Sequence, residues 1–339
     1  MGETMKPVFS IIIPFYNTEP AFYKKTVNSL ASIPSEIAEV IVVDDGSNLT
    51  LSLEFEKTLS AAGLTFRFFR KTNGGQNSAR QYGIDLAKGR YILFLDSDDY
   101  LDAEVVLELA DYLKNNSPAL VAFGYDVVSP EGSVVNSFMP WARGFNPIGL
   151  QSLLLNSDSL WRQCYHLQSL KEASYTLTQG VRIGEDLSSA VSLNLALGGG
   201  ISFGRILYHY VNRPSSIISR PPDDIMLDIL SAFDNIIERC GPDYAGYYDE
   251  IEWLSVLHVA FWGSQRIVQN VGPDLIMRQQ IFAWMNSRFP SWRMNRYIRS
   301  EETAKTLSFR LLTSGMWRTY LVLFKLKRII VNTISGADN

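Results

Sequence analysis

The stretch Gly89–Leu101, GRYILFLDSDDYL, constrains this chain more than any other. Tyr91 to Leu95 is an uncharged apolar run behind a glycine, and it reads as a strand buried on both faces. Three of the next four residues, Asp96, Asp98 and Asp99, are carboxylates. Carboxylates repel one another, so folding alone gives no reason to gather them at the rim of a core. A turn with a helix cap accounts for Asp and Ser at such a place. A divalent cation accounts for the cluster itself, because Mg²⁺ and Mn²⁺ take oxygen ligands, with Mg²⁺ typically held by one or two carboxylates plus substrate phosphates. In an open α/β sheet ligands bind beyond the carboxyl ends of the strands, where these acids fall.

The segments upstream repeat the theme. Phe9–Ile13 is a second buried strand, closed by Pro14 and followed by Phe15, Tyr16 and Asn17. Thr18 reads as an N-cap for a helix from about Glu19 to Ser32. Val40–Val43 is a third strand, ending at Asp44-Asp45-Gly46-Ser47. Leu51–Ala62 is helical and Phe66–Phe69 is another strand. Asn73-Gly74-Gly75-Gln76-Asn77 then opens a helix from about Ser78 to Lys88. A Gly-Gly loop at a helix start reads either as an ordinary loop or as an anion cradle, with Arg80 in reach of the same anion. Strand–helix alternation predicts a parallel sheet with helices on its faces. The strand ends then place Pro14, Asp44-Asp45 and Asp96–Asp99 in one crevice, with Gly74 and Gly75 beside them. That crevice suits a metal-chelated nucleoside diphosphate. No Walker A loop and no G-x-G-x-x-G follows the first strand, which disfavours the P-loop and dinucleotide folds.

Further on, Leu120–Val128 and Ser133–Phe138 read as strands of a hairpin, and Met139–Gly149 as a loop over the sheet. Gly184-Glu185-Asp186 opens a helix, Leu187–Leu197, whose dipole favours acids at its start. Ile206–Val211 is a strand on which alternation sends Tyr208 and Tyr210 to one face and His209 to the other. Pro221-Pro222 marks a boundary, after which helical periodicity takes over, with Ile229, Phe233, Leu254 and His258 on apolar stripes. Lys305–Arg328 holds six basic residues and no acid, interleaved with Trp317, Tyr320 and Phe324. Such an amphipathic helix either packs on the domain or lies on an anionic membrane.

The bulk numbers narrow the class. A chain of 339 residues with 46% hydrophobic and 19% charged content is globular, with room for a domain and an appendage. A net charge of −4 makes nucleic acid an unexpected partner. Cys164 and Cys240 match no metal spacing and read as buried free thiols. No signal-peptide pattern opens the sequence, and no apolar run reaches the roughly 18 residues of a membrane span. The expected location is cytoplasmic.

FSIIIPFYN, VIVVDDGS, NGGQNSARQYGIDLAKGRYILFLDSDD and the later GED resemble, in order and spacing, the family 2 glycosyltransferases of bacterial surface-polysaccharide type. The resemblance covers about residues 7–218. It implies an α/β fold of the GT-A kind, a Rossmann-like mixed sheet flanked by helices, over residues 1–220, and a helical C-terminal region over 221–339. It implies that Pro14, Tyr16, Asn17 and Asp45 line the nucleotide, and that Gly75, Arg80, Asp96, Ser97 and Arg213 face the donor. It implies Mn²⁺ or Mg²⁺ on Asp96 and Asp98, with His209 as a further ligand, and Asp186 as catalytic base with Glu185 as the fallback. The expected activity is metal-dependent, inverting transfer from a nucleotide-sugar, a UDP-sugar by family frequency, to a glycan or lipid-linked saccharide acceptor. An anionic membrane surface would be met through 305–332, at the inner membrane face. Leu160–Leu170 departs from the relatives' polar-basic pattern, with Gln163, Cys164 and His166, which leaves the acceptor side open. Two other classes compete: a nucleotidyltransferase, which would not need the GED acids, and a catalytically silent scaffold of the same fold.

Overall fold

The computed structural model describes residues 6–213, 227–241 and 246–335, the side chains of Cys240 and of 330–335 excepted. The Pro221-Pro222 boundary, Ser215 and Ser216 of the closing segment, and the Cys240 thiol fall outside the described residues. The chain divides into two compact units, Met1–Gly180 with Glu185–Pro214, and Val181–Gly184 with Ser215–Asn339.

The first unit is a ten-stranded mixed sheet with helices packed on it. Its parallel half comprises β1 (Phe9–Phe15), β2 (Ala38–Asp44), β3 (Phe66–Arg70) and β4 (Tyr91–Phe94), in spatial order β3-β2-β1-β4. Every residue of β1 and β4 is buried, as uncharged apolar runs predict. Helices α1 (Pro20–Ala31), α2 (Leu49–Ala61) and α3 (Gln76–Leu86) make the crossovers. Gly83 lets α3 lie close on β1: a Cβ there would stand 2.4 Å from Ile12 Cγ2.

The other half departs from simple alternation. After the short β5 (Tyr100–Leu101) and α4 (Ala103–Asn115) come β6 (Leu120–Val128), β7 (Val134–Phe138), β8 (Phe145–Gly149), α5 (Leu150–Asn156), β9 (Gln163–His166), α6 (Leu167–Glu172), α7 (Glu185–Leu197) and β10 (Gly199–Val211). β9 enters between β4 and β6, antiparallel to both, and makes the sheet mixed. Its four residues carry no clear period, so the pattern did not reveal a central strand.

Three sequence expectations are corrected. β1 runs through Pro14 to Phe15; β4 pairs only with Phe9–Ile12, so the missing proline N–H faces no ladder. Met139–Gly149 is not all loop. Its last five residues form β8 against Gly199–Phe203 of β10, and Phe145 stacks on Tyr112 and Phe203 at 3.7 and 4.3 Å. Thr18 does not cap α1; Glu19 holds that position, and the Thr18 hydroxyl bonds Ser97 Oγ at 2.6 Å.

The second unit is helical. It holds α8 (Asp228–Cys240), α9 (Tyr248–Ser255), a π-helical stretch (Val256–Gly263), α10 (Ser264–Asn270), α11 (Leu275–Arg288), α12 (Tyr297–Ser300), α13 (Glu302–Lys305), α14 (Leu307–Thr313) and α15 (Trp317–Ser335). Ile229, Phe233, Trp253, Phe261, Trp292 and Trp317 are among its buried apolar residues. His258 sits among the rings of Phe233 and Trp262. The basic tail is not one helix. Gly315, at φ +79°, interrupts it between α14 and α15, because a left-handed residue ends a helix. Among the described residues no helix is long and apolar enough to cross a membrane.

Candidate active site

Parallel β1, β2 and β4 deliver their exit loops to one edge. The first two loops are stitched together. Asn17, at φ +51°, accepts the Asn48 N–H on Oδ1 at 2.7 Å, and its own N–H reaches Ser47 Oγ at 3.0 Å. Tyr16 beside it is 55% exposed, which leaves its ring free to meet a ligand.

The two acids that end β2 do different work. Asp44 is fully buried and accepts from Ser47 N–H, Ser52 Oγ and Arg70, so it holds the turn. Asp45 accepts the Gly74 and Gly75 N–H groups at 3.0 and 2.8 Å and the Lys71 ammonium at 2.6 Å. The Asn73–Gly75 loop is thus an anion cradle whose anion is the protein's own Asp45, and the N–H of Gly75, expected to face the donor, is given to that carboxylate. Gly75 has φ +89°, a conformation open to glycine, and from it the chain turns into α3. Lys71 carried no motif, and its part in the site was not legible.

Arg80 is the hub of the crevice and is 1% exposed. One guanidinium nitrogen donates to Asp96 Oδ1 at 2.7 Å; the other donates to Asp186 Oδ1 at 2.9 Å and Asn77 Oδ1 at 3.1 Å. Arg80 was expected to meet a donor anion; it meets two carboxylates that lie 90 residues apart in sequence. Burial opposes its charge, but Asp96 and Asp186 more than compensate and hold its pKa above the usual arginine value. Gln76 Nε2 also donates to Asp96 Oδ1, at 2.8 Å.

Asp186 opens α7, and its Oδ1 also accepts the Leu160 N–H at 3.2 Å. Its side chain keeps 20% exposure. Burial pushes it up to about 6, with Arg80 pulling the other way. Neighbouring Glu185 is pushed to about 7, first by burial and then by Asp186. Asn77 pins this helix start, donating from Nδ2 to Glu185 O at 2.9 Å and Ser189 Oγ at 3.0 Å.

The Asp96–Asp99 turn sends its four side chains in different directions. Asp98 pairs with Arg213, whose guanidinium also stacks over Phe22 at 4.8 Å. Burial raises Asp98 to about 6 against the pull of Arg213. Ser97 does not face the crevice as expected. It turns inward to Thr18, and Thr26 Oγ1 donates to the Ser97 and Asp99 carbonyls at 3.1 and 2.6 Å. Asp99, 1% exposed, accepts Tyr208 Oη at 2.7 Å and the Val211 N–H at 2.7 Å, and burial raises its pKa well above the carboxylate range.

Tyr208 Oη also accepts the Asp96 N–H at 3.1 Å, so one hydroxyl fixes both ends of the turn. Sequence alternation had paired Tyr208 with Tyr210 without showing this role. Tyr208→Phe is expected to cost about 1–3 kcal/mol, because the buried Asp99 carboxyl and Asp96 amide lose a partner. Urea unfolding checks it, and a loss under about 0.5 kcal/mol would mean the hydroxyl anchors nothing.

His209 is not brought to Asp96 and Asp98. Alternation along β10 sends it to the face opposite Tyr208, where it stacks on Tyr100 at 4.5 Å with Nδ1 3.7 Å from Asp126. Among the described residues no group of three His, Cys, Asp or Glu side chains is placed to hold a metal ion.

Residues 10–164, within the sheet unit, match the sequence model of Glycosyl transferase family 2. Among similar proteins, the uncharacterized glycosyltransferase EpsJ of Bacillus subtilis is 27% identical over 64% of this chain and 64% of its own length. Chondroitin synthase of Pasteurella multocida is 30% identical over 56% of this chain and 18% of its own. The chain thus spans less than two thirds of these relatives. Among solved structures, TarS 1–349 of Staphylococcus aureus in complex with UDP superposes with a TM-score of 0.67 at 19% identity, covering 92% of this chain and 91% of that one. The fold is therefore the GT-A mixed sheet flanked by helices, with a helical C-terminal region.

Proposed function

We propose that this chain transfers a sugar from a UDP-sugar to a hydroxyl of a glycan or lipid-linked saccharide in bacterial surface-polysaccharide synthesis, with inversion at the anomeric carbon. The observation that carries the reading is Arg80, which ties Asp96 of the donor-side turn to Asp186 of the helix start in one crevice. The names of similar proteins support it: TarS is a poly(ribitol-phosphate) beta-N-acetylglucosaminyltransferase, and TarS 1–349 has also been solved with UDP-GlcNAc.

In this reading Pro14, Tyr16, Asn17 and Asp45 receive the nucleotide. Asp45 is preset for that task, since Gly74, Gly75 and Lys71 fix its carboxylate in place. The acceptor hydroxyl approaches Asp186, whose Oδ1 is taken by Arg80 and Leu160 N–H, leaving Oδ2 to accept the proton as the new C–O bond forms. General-base assistance of this kind contributes about 10²–10⁴-fold. Glu185 is the fallback base.

Asp98, with Asp96 beside it, fits an Mg²⁺ or Mn²⁺ ion. The donors are hard oxygens, and a guanidinium already stands against Asp98 as a cation in that place. When bound, the ion would stabilise charge on the leaving diphosphate. Arg213 would then fork onto phosphate. Residues 1–220 constitute the transfer domain. The helical region 221–339 lies against an anionic inner membrane face through 305–332, where α15 exposes Val322, Leu323 and Leu326 among Lys325, Lys327 and Arg328.

The test is melting temperature and donor turnover across UDP-, GDP-, CMP- and dTDP-sugars, with Mn²⁺ or with chelator. A UDP-sugar is expected to stabilise the protein only with metal, and Asp98→Ala to abolish that shift. No shift with any nucleotide-sugar would remove the enzyme reading. Pyrophosphate release from a nucleoside triphosphate would turn it to a nucleotidyltransferase.

A further inference from the structure

The helical unit contains a cleft of about 500 Å³, bordered by four basic side chains, Arg293, Arg299, Lys305 and Arg310, over an apolar floor that includes Trp292 and Phe309. Among the described residues no carboxylate lines it. Among the described residues Arg293, Arg299 and Arg310 have no acidic side chain within ion-pair distance, and Lys305 is held by the exposed Glu302. Like charges brought to one cleft repel, so packing alone does not favour the arrangement.

One of the four is held in place. The Arg293 guanidinium stacks on the Trp292 ring at 4.0 Å, and its Nη1 shares Asn286 Oδ1 with Trp292 Nε1, at 3.3 and 3.0 Å. Partial burial lowers the Arg293 pKa, with no acid to offset it. A planar, stacked guanidinium presents its remaining N–H groups as a fork that matches phosphate oxygens. The cleft volume lies within the roughly 300–1,000 Å³ of small-molecule sites.

We infer that this cleft is a binding site for a phosphate-bearing ligand, the phosphates held by Arg293, Arg299 and Arg310. The assignment does not rest on the proposed sugar transfer, whose crevice belongs to the sheet unit. The phosphate can come from a lipid headgroup or from a soluble phosphorylated compound.

The test uses the full chain and pyrophosphate as probe, followed by isothermal titration at low salt with Mg²⁺ present, so that any binding in the sheet crevice depends on Asp98. Binding is expected to weaken roughly tenfold or more in the double variant R299Q/R310Q, which changes two exposed side chains, and to persist in D98N. It should also fall as ionic strength rises. An unchanged melting temperature would show that the double variant still folds. Absence of binding in the parent chain overturns the assignment. So does binding lost in D98N but kept in R299Q/R310Q, which would locate the probe in the sheet crevice. If the cleft binds, flotation with phosphatidylcholine vesicles, with and without about one fifth phosphatidylglycerol, names the source. A headgroup ligand predicts anionic-vesicle binding that pyrophosphate competes away and R299Q/R310Q loses. A soluble ligand predicts pyrophosphate binding with vesicle binding untouched by the substitutions.

Discussion

Asp186→Asn is expected to lower sugar transfer by about 10²–10⁴-fold while leaving UDP binding within about twofold. The amide keeps the Leu160 N–H contact but cannot take a proton. The pH dependence gives an independent check. Burial pushes Asp186 up to about 6, and a base works only when ionised. Activity should therefore be full above about pH 7 and fall as the pH drops through about 6, and the residual activity of the variant should lose that limb. Single-turnover transfer between pH 5 and 8 measures both. If Asp186→Asn retains the rate and Glu185→Gln removes it, the base is Glu185, whose carboxyl is pushed to about 7 and would place the limb one unit higher.

Arg80→Met should be the most damaging single change to the crevice. The guanidinium is 1% exposed and joins two carboxylates that, among the described residues, have no second cation within ion-pair distance. Removing one partner of a buried ion pair costs about 3–5 kcal/mol, because the remaining charges are stranded. Part of that cost should be relieved at low pH. Asp186 without Arg80 should titrate still higher than about 6, so protonation in the folded state stabilises it, and the deficit should shrink as pH falls from 8 to 5. Urea unfolding at both pH values tests this. A deficit that is the same at pH 5 and pH 8 would mean that Arg80 acts by packing on Phe94, 5.7 Å away, and not by charge.

How much of this was legible follows from the range of the forces involved. Local patterns predicted β1, β2 and β4, because a strand buried on both faces must be continuously apolar. They predicted acids at the strand ends, because parallel strands share one ligand-facing edge. They missed β9, four residues long, and β8, whose strand character comes from its pairing with β10. They did not reveal which partners within the protein the polar groups of the site would take. Gly75 looked like a phosphate cradle and holds Asp45; Ser97 looked donor-facing and is spent on Thr18. A buried polar group must be paired, but the sequence does not say with what.

The sequence by itself determined the parallel core of the sheet, the crevice at its carboxyl edge and the identity of the acids in it. These follow from periodicity, apolar run length and the chemistry of each residue, all of which act within a few neighbours along the chain. The tertiary structure alone decided which acids face one another and which face inward. Asp96 and Asp186 meet only because α3 lays Arg80 between them, and His209 leaves the acidic turn only because the pairing of β10 fixes its face. Hydrogen bonds and ion pairs are short-ranged in space but indifferent to sequence separation, so their partners are settled only when the chain has folded.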